Sequence, residues 1–365
     1  MRYAGHRPPQ WIRRACVVNA VIVAAVIALT GCSESGAPAR GSGAQNIAVT
    51  DMLGRKVLLH GQIHRILALH PIPTTLLELL APTRIVSVDT VFARSLKPDD
   101  ARFTPEQMSS LKSLPITGVY FKGLDPEQLV KLHPDVVITM TGDTNIEREQ
   151  MQTRIPFFAV SKAPTTSYET TIRLIGQIVG QADRADQMAA FWAQKIASVQ
   201  ARTSAVPASK RPTVMYTGKN GDILGIPGKE TVFGSTIETA GGRYVGEALP
   251  VGHADTENNP VSFEQLITWD PAVIIVASTT GKDKIMNDPR WRQIRAVRDG
   301  RVYVPPKYGG LDGLQAVLGM VWTQGVSLDH DDANARAAIA DAMQHYYTLF
   351  YGHTLTTTQV GELAS

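Results

Sequence analysis

The sequence predicts an α/β protein: two doubly wound lobes with small parallel sheets, joined by one long helix, with a ligand cleft between the lobes. Three observations predict it. A twelve-residue stretch, residues 127–138, returns as residues 264–275 with six positions identical. Each copy reads as a short helix, a Pro-marked turn and an all-apolar β-branched strand of the kind buried in a parallel sheet. Strands alternate with helices on both sides of the midpoint, the pattern of doubly wound sheets. Between the halves, Ala185, Met188, Ala189, Trp192, Ile196 and Val199 recur at helical spacing, and about 20 residues at ~1.5 Å each span roughly 30 Å. Two similar lobes side by side enclose a cleft, a preferred place for ligands.

Residues 1–31 read as a secretory signal. Arg2, Arg7, Arg13 and Arg14 form a cationic start without an acidic residue, and residues 15–29 are apolar except for Asn19, too short for a confident spanning helix. Leu29-Thr30-Gly31-Cys32 fits a bacterial lipoprotein box, in which small residues admit the peptidase and the Cys32 thiol takes the acyl group. Several acyl chains anchor a protein far better than one. An uncleaved N-terminal anchor is the alternative, and either reading leaves the globular part outside the cytoplasm. Residues 32–47, rich in Gly, Ser and Ala without apolar periodicity, form a flexible tether.

The two cysteines are Cys16, in the signal, and Cys32. The mature domain is therefore expected to lack thiols and disulfides, and its roughly 320 residues bury enough core to fold without staples. The formal charge of +3 also belongs to the signal. Without its four arginines, 32 basic residues face 33 acidic ones, and no basic cluster argues for nucleic acid or a lipid-binding patch.

The first lobe, residues 48–165, opens with an edge hairpin at 49–57 and continues through apolar runs at 65–69, 84–88, 135–140 and 156–160. The connecting helix occupies residues 166–204. The second lobe, residues 205–350, repeats the scheme with strands near 213–216, 272–277 and 301–304. A helix at 231–240 is stopped by Gly241-Gly242, a C-cap signal. Residues 351–365 are left as a tail. One long helix between small sheets predicts stiff lobes that close only modestly.

Five segments in order carry a resemblance: Val49-Thr50-Asp51-x-x-Gly54-Arg55; the strand from His64 to Leu69; Leu124-x-x-Glu127-x-Leu129-x-x-Leu132-x-Pro134-Asp135-Val136-Val137-Ile138; Ser262-x-Glu264-x-Leu266 before Trp269-x-Pro271-x-Val273-Ile274; and residues 296–303. Over residues 49–350 the chain resembles the periplasmic substrate-binding proteins of iron–siderophore, haem and vitamin B12 importers, the helical-backbone class. The resemblance implies an extracytoplasmic receptor that hands an iron complex, foremost a ferric siderophore, to an ABC importer. Haem, a cobalamin, a molybdate-like oxyanion or a bare divalent metal would keep the role and change the ligand. It also implies a permease dimer as partner, met by one acidic residue per lobe, Glu127 and Glu264. Two carboxylates related by pseudo-symmetry suit a two-fold partner; an ordinary solvated glutamate at a helix start is the plainer reading.

Ligands of doubly wound sheets sit beyond the carboxyl ends of the strands. In the first lobe this selects His70, Thr74, Tyr120 and Phe121, and in the second Tyr216, Lys219, His253, Lys307 and Tyr308. The aromatic residues suit stacking on a planar chelate, and the lysines suit an anionic complex. Thr74, Thr75 and nearby N–H groups offer an oxyanion site at a helix N-terminus. His70 and His253, one per lobe, offer metal ligation across the cleft as an alternative, against which a direct metal site normally needs three or four ligands. The charges of residues 94–102 are expected on a solvated loop able to rim the cleft. No cofactor and no catalytic residue is expected: Gly-x-Ser-x-Gly, His-Glu-x-x-His and a strand-borne Gly-x-Gly-x-x-Gly are all missing from the sequence. In the loop-like run 225–230, Glu230 stands where a phosphate loop needs Ser or Thr.

Overall fold

The computed structural model describes residues 46–98, 100–250, 257–307 and 310–364; Cys32, His253 and Tyr308 lie outside them. The chain enters through an antiparallel hairpin, β1 (Ile47–Thr50) and β2 (Lys56–Leu59). The Asp-x-x-Gly-Arg segment at its turn is a staple built on one buried carboxylate. Asp51 Oδ1 accepts the N–H groups of Leu53 and Arg55, while Oδ2 accepts the Arg55 guanidinium and the Ala159 N–H. Arg55 also donates to the Phe157 carbonyl at 3.0 Å, which pins the hairpin to the first sheet.

That sheet holds β3 (Ile66–Ala68), β4 (Ile85–Asp89), β5 (Ile116–Thr117), β6 (Val136–Met140) and β7 (Phe157–Val160), all parallel in the order β5-β4-β3-β6-β7. Every residue of β6 and β7 is buried, as strands covered on both faces require. Helices α1 (Pro71–Leu80), α2 (Thr90–Ser95), α3 (Pro105–Ser113), α4 (Pro126–Leu132) and α5 (Ile146–Thr153) connect them. The strand order turns back between β3 and β6, so the first lobe's crevice opens beyond β3.

Next come α6 (Ser167–Ile178) and the long α7 (Ala182–Ser204), 23 residues or about 34 Å at ~1.5 Å each. They approach closely because Gly176 faces Ala185: a Cβ on Gly176 would lie 2.2 Å from the Ala185 Cβ. Tyr168 stacks on Trp192 at 4.3 Å between ring centroids across the same seam.

In the second lobe β8 (Thr213–Thr217), β10 (Arg243–Tyr244), β12 (Val273–Val276) and β13 (Val302–Tyr303) run parallel in the order β10-β8-β12-β13. A small antiparallel pair, β9 (Gly225–Pro227) and β11 (Asn258–Pro260), forms a separate sheet held against β8 by the Thr217 hydroxyl, which donates to the Gly225 carbonyl. Here the order reverses between β8 and β12, so the residues after β8 face the crevice. The helices are α8 (Val232–Thr239), α9 (Phe263–Trp269), α10 (Thr279–Asn287), α11 (Arg295–Arg298), α12 (Ala316–Gln324), α13 (Asp332–Tyr351) and α14 (Thr357–Ala364).

The two copies of the repeat take the same local structure. Asp125 and Ser262 cap α4 and α9, Leu129 and Leu266 are buried, and His133 and Asp270 leave the helices in the left-handed conformation. The Pro-marked turns then deliver β6 and β12.

One apolar cluster runs through both lobes and both long helices. The segment expected only as a tail belongs to it. Leu355, Leu363 and Ala364 are buried, and His353 Nε2 lies 3.0 Å from the Ala101 carbonyl of the first lobe. Phe103 of that lobe also meets Tyr351 edge-on. The lobes are thus tied by the C-terminal segment as well as by α7.

Candidate functional site

A cavity of about 470 Å³ lies between the lobes, beyond the carboxyl ends of β3 and β8. His70 stands two residues past β3 and Lys219 two residues past β8, equivalent places on the two sheets, and both line it. The Lys219 turn depends on Gly218, whose φ is +81° and where a Cβ would lie 2.9 Å from the Val276 side chain, so no side chain fits.

The first-lobe wall is built from His70, Tyr120 and Phe121, with Arg94 and Arg102 at the rim. His70 caps α1, its Nδ1 accepting the Ile72 N–H at 3.2 Å. Burial, with the neighbouring Lys162 charge, lowers its pKa to about 3. The ring is therefore neutral, and with Nδ1 used as an acceptor, Nε2 carries the proton as a donor. Tyr120 packs against both His70 and Phe121, at 5.9 and 5.2 Å between centroids. Its backbone is held by the Leu69 carbonyl and by the Asn145 amide, and burial raises its pKa, so it remains a phenol.

The second-lobe wall includes Lys219, Asn220, Glu257, Asp312 and Gln315. Four charges on the cavity floor neutralise one another. Lys162, just past β7, approaches Glu257 Oε1 at 3.0 Å and Asp312 Oδ2 at 3.4 Å, and Lys219 meets Glu257 Oε2 at 2.5 Å. Burial alone would discharge Lys162, but Asp312 and Glu257 hold its pKa above the ordinary lysine value. Asp312 is pulled the other way: burial opposes its charge, yet Lys162 and Lys219 keep it well below the usual carboxylate range. Glu257 holds a φ of +56°, a strained conformation for a non-glycine residue that persists where surroundings enforce it.

With the quartet balanced, the remaining charge on the cavity wall is positive. Arg102 makes a two-pronged pair with the buried Asp100, at 2.9 and 2.6 Å. Arg94 has no ion-pair partner among the described residues.

Other expected residues fall elsewhere. Thr74 is fully buried below the cavity, its hydroxyl donating to the His70 carbonyl at 3.0 Å; Thr75 reaches the lining but donates to the Pro71 carbonyl. Pro71 and Pro73 carry no N–H, and the Ile72 N–H is spent on His70, so α1 offers no open set of donors to an oxyanion. Tyr216 does not line the cavity: it is buried and stacked on Phe233 at 4.4 Å. Lys307 lines a separate recess with Asp100, His353 and Glu362. Among the described residues no three His, Cys, Asp or Glu side chains are grouped to hold a metal ion.

Sequence reasoning passed over Lys162, Glu257 and Asp312. Lys162 had a signal, since it follows an apolar strand as His70 does. Glu257 and Asp312 sit in loops without a pattern. Glu127 and Glu264 are exposed on the first turns of α4 and α9.

Comparison with known proteins agrees with this architecture. The sequence matches the periplasmic binding protein family over residues 66–308. It is 26% identical over 335 residues to the molybdate-binding protein MolA of Haemophilus influenzae, covering 83% of this chain and 91% of that one. The structure of MolA bound to molybdate superposes with a TM-score of 0.70 over 85% of this chain and 99% of that chain, at 24% identity. An ABC transporter solute-binding protein from Sulfurospirillum deleyianum gives 0.72, at 21% identity over 87% and 98% of the two chains. A protein of an Fe3+-hydroxamate transport system from Saccharomonospora viridis gives 0.55, at 20% identity over 75% and 96%.

Proposed function

Because this chain belongs to the periplasmic binding protein family, whose members serve ABC importers as substrate-binding proteins, we propose that its cleft receives an anionic metal chelate, foremost a ferric siderophore. The observation that carries this reading is the cavity itself. Its volume of about 470 Å³ falls in the ~300–1,000 Å³ range of sites that bury a drug-sized ligand. Aromatic faces at Tyr120 and Phe121 suit an organic chelator, and the unbalanced charge of Arg94 suits a complex with net negative charge. His70 Nε2–H adds a neutral donor that does not depend on pH over the physiological range.

The protein works by binding and release, with no bond made or broken. Glu127 and Glu264 serve as docking carboxylates for the two halves of a permease. Cys32, as the acylation site, keeps the receptor at the outer face of a membrane.

A second reading takes molybdate as ligand, favoured by the likeness to MolA. Against it stands α1, whose two prolines and His70 cap leave its N-terminus without free N–H donors.

The test is chemical analysis of the protein purified from iron-starved cells of its source. Iron and an organic chelator in equal amounts, released together by acid, support the leading reading. Molybdenum without an organic partner supports the second and overturns the first.

A further inference from the structure

The repeat carries a second matched pair besides its glutamates. Val130 lies three residues after Glu127 on α4, and Ile267 lies three residues after Glu264 on α9. Residues three apart on a helix share a face, so each glutamate has an aliphatic neighbour one turn on. Both aliphatics are exposed, Val130 by 47% and Ile267 by 40%. Single exposed apolar residues need no explanation. These two do, because among the described residues they are the large exposed apolar side chains that occupy equivalent positions of the repeat. The residues around them follow the burial rule strictly, since Leu129 and Leu266, one step earlier, are buried in both copies.

Nothing inside the lobe needs a branched aliphatic at these places. Lys131 and Thr268, which follow them, are exposed and differ in charge, so the pairing is not a by-product of identical sequence. A shallow recess lined by Glu127, Val130 and Lys131 surrounds the first of the two spots.

We infer that each docking face is a mixed patch, Glu127 with Val130 and Glu264 with Ile267. Its partner is a two-fold symmetric permease that offers, on each half, a basic residue beside an apolar contact. The carboxylate steers and fixes register, while the desolvated aliphatic supplies short-range attraction that the exposed ion pair cannot. The inference rests on the docking role of the two glutamates and adds a partner surface to it.

The test uses the full-length protein carrying Val130→Cys or Ile267→Cys, labelled with a photoactivatable maleimide and mixed with membranes of the source bacterium. Mass spectrometry identifies the adducts. Both positions should cross-link to one membrane-spanning importer subunit, and Met151→Cys, exposed by 77% on α5, should not. In whole cells given radioactive iron or molybdate, the pair Val130→Asp and Ile267→Asp should cut uptake by ~10-fold or more, as loss of a central apolar contact does. Val130→Leu with Ile267→Leu should retain it, and an unchanged Tm shows that the Asp variant folds. If Glu127→Ala abolishes uptake while the Asp pair does not and no permease adduct forms, the aliphatic contact is wrong and the glutamate docking stands. If Glu127→Ala and Glu264→Ala both leave uptake intact, the docking reading fails and the inference falls with it.

Discussion

Lys162, two residues past β7, places its Nζ 3.0 Å from Glu257 Oε1, so the end of the first sheet is joined to the second lobe by a buried charge pair. The contact lies on the floor of the cleft. Together with the C-terminal segment and α7 it makes a third tie between the lobes.

Removing the cation should therefore cost stability. Lys162→Met leaves Asp312 without its nearest counter-charge and weakens the hold on Glu257, and breaking a buried pair costs about 3 kcal/mol. Chemical denaturation should show that loss, and adding Glu257→Gln should recover part of it. A Lys162→Met protein as stable as the parent would mean that the pair contributes nothing net.

His70 should stay neutral throughout the physiological range. Its folded pKa of about 3 lies below the ordinary ~6.5. The contribution to stability is present above the unfolded value and is lost as pH falls from there towards 3. Proton NMR should find the His70 ring signals flat between pH 5 and 8; a midpoint near 6.5 contradicts the assignment of Nε2–H as a standing donor.

Glu78 on α1 gives the opposite sign. Burial raises its pKa to about 7, so its contribution is present below ~4.5 and is lost as pH rises through 7. Glu78→Gln should stabilise the protein by about 3 kcal/mol at pH 8, from a shift of roughly two units at ~1.4 kcal/mol each, and should gain nothing at pH 4.

Arg94→Ala should weaken an anionic chelate by ~10-fold or more, the worth of about 1.5 kcal/mol for a hydrogen bond to a charged group. The same change should leave a neutral ferric complex almost untouched. Equal losses for both ligands would assign Arg94 to packing.

Glu127→Ala and Glu264→Ala should leave ligand affinity within about two-fold and yet abolish transport, because both side chains are exposed away from the cavity lining. Calorimetry beside an uptake assay separates the two effects. Reduced ligand affinity in either variant would contradict a docking role.

Much of the architecture was legible in the sequence because two periodicities carry it. The all-apolar runs of β6, β7 and β12 and the helical stripe of α7 need no tertiary knowledge, and the repeat set the two lobes side by side. The site was legible only where it follows strand ends: His70, Tyr120, Phe121 and Lys219 line the cavity. Tyr216 was misplaced because side chains alternate along a strand, and its own position turns towards Phe233 instead of the cleft. Lys307 follows β13 but opens on a different recess. Glu257, Asp312 and the clasp of the C-terminal segment onto Ala101 depend on loops brought together by the fold, with no local pattern to announce them. Arg94 and Arg102 read as charges of a solvated loop able to rim the cleft; both line the cavity, but Arg94 is carried by α2 and not by a loop.

The most direct test of a chelate-binding cleft is a calorimetric titration of the protein with ferric siderophores, haemin, cobalamin, molybdate and bare divalent metals under one set of conditions. The expected result is saturable one-to-one binding of an anionic ferric siderophore at submicromolar concentration, weakened in Arg94→Ala, with no heat from molybdate at the same concentrations. Tight binding of molybdate alone would contradict it and would turn the aromatic wall at Tyr120 and Phe121 into packing.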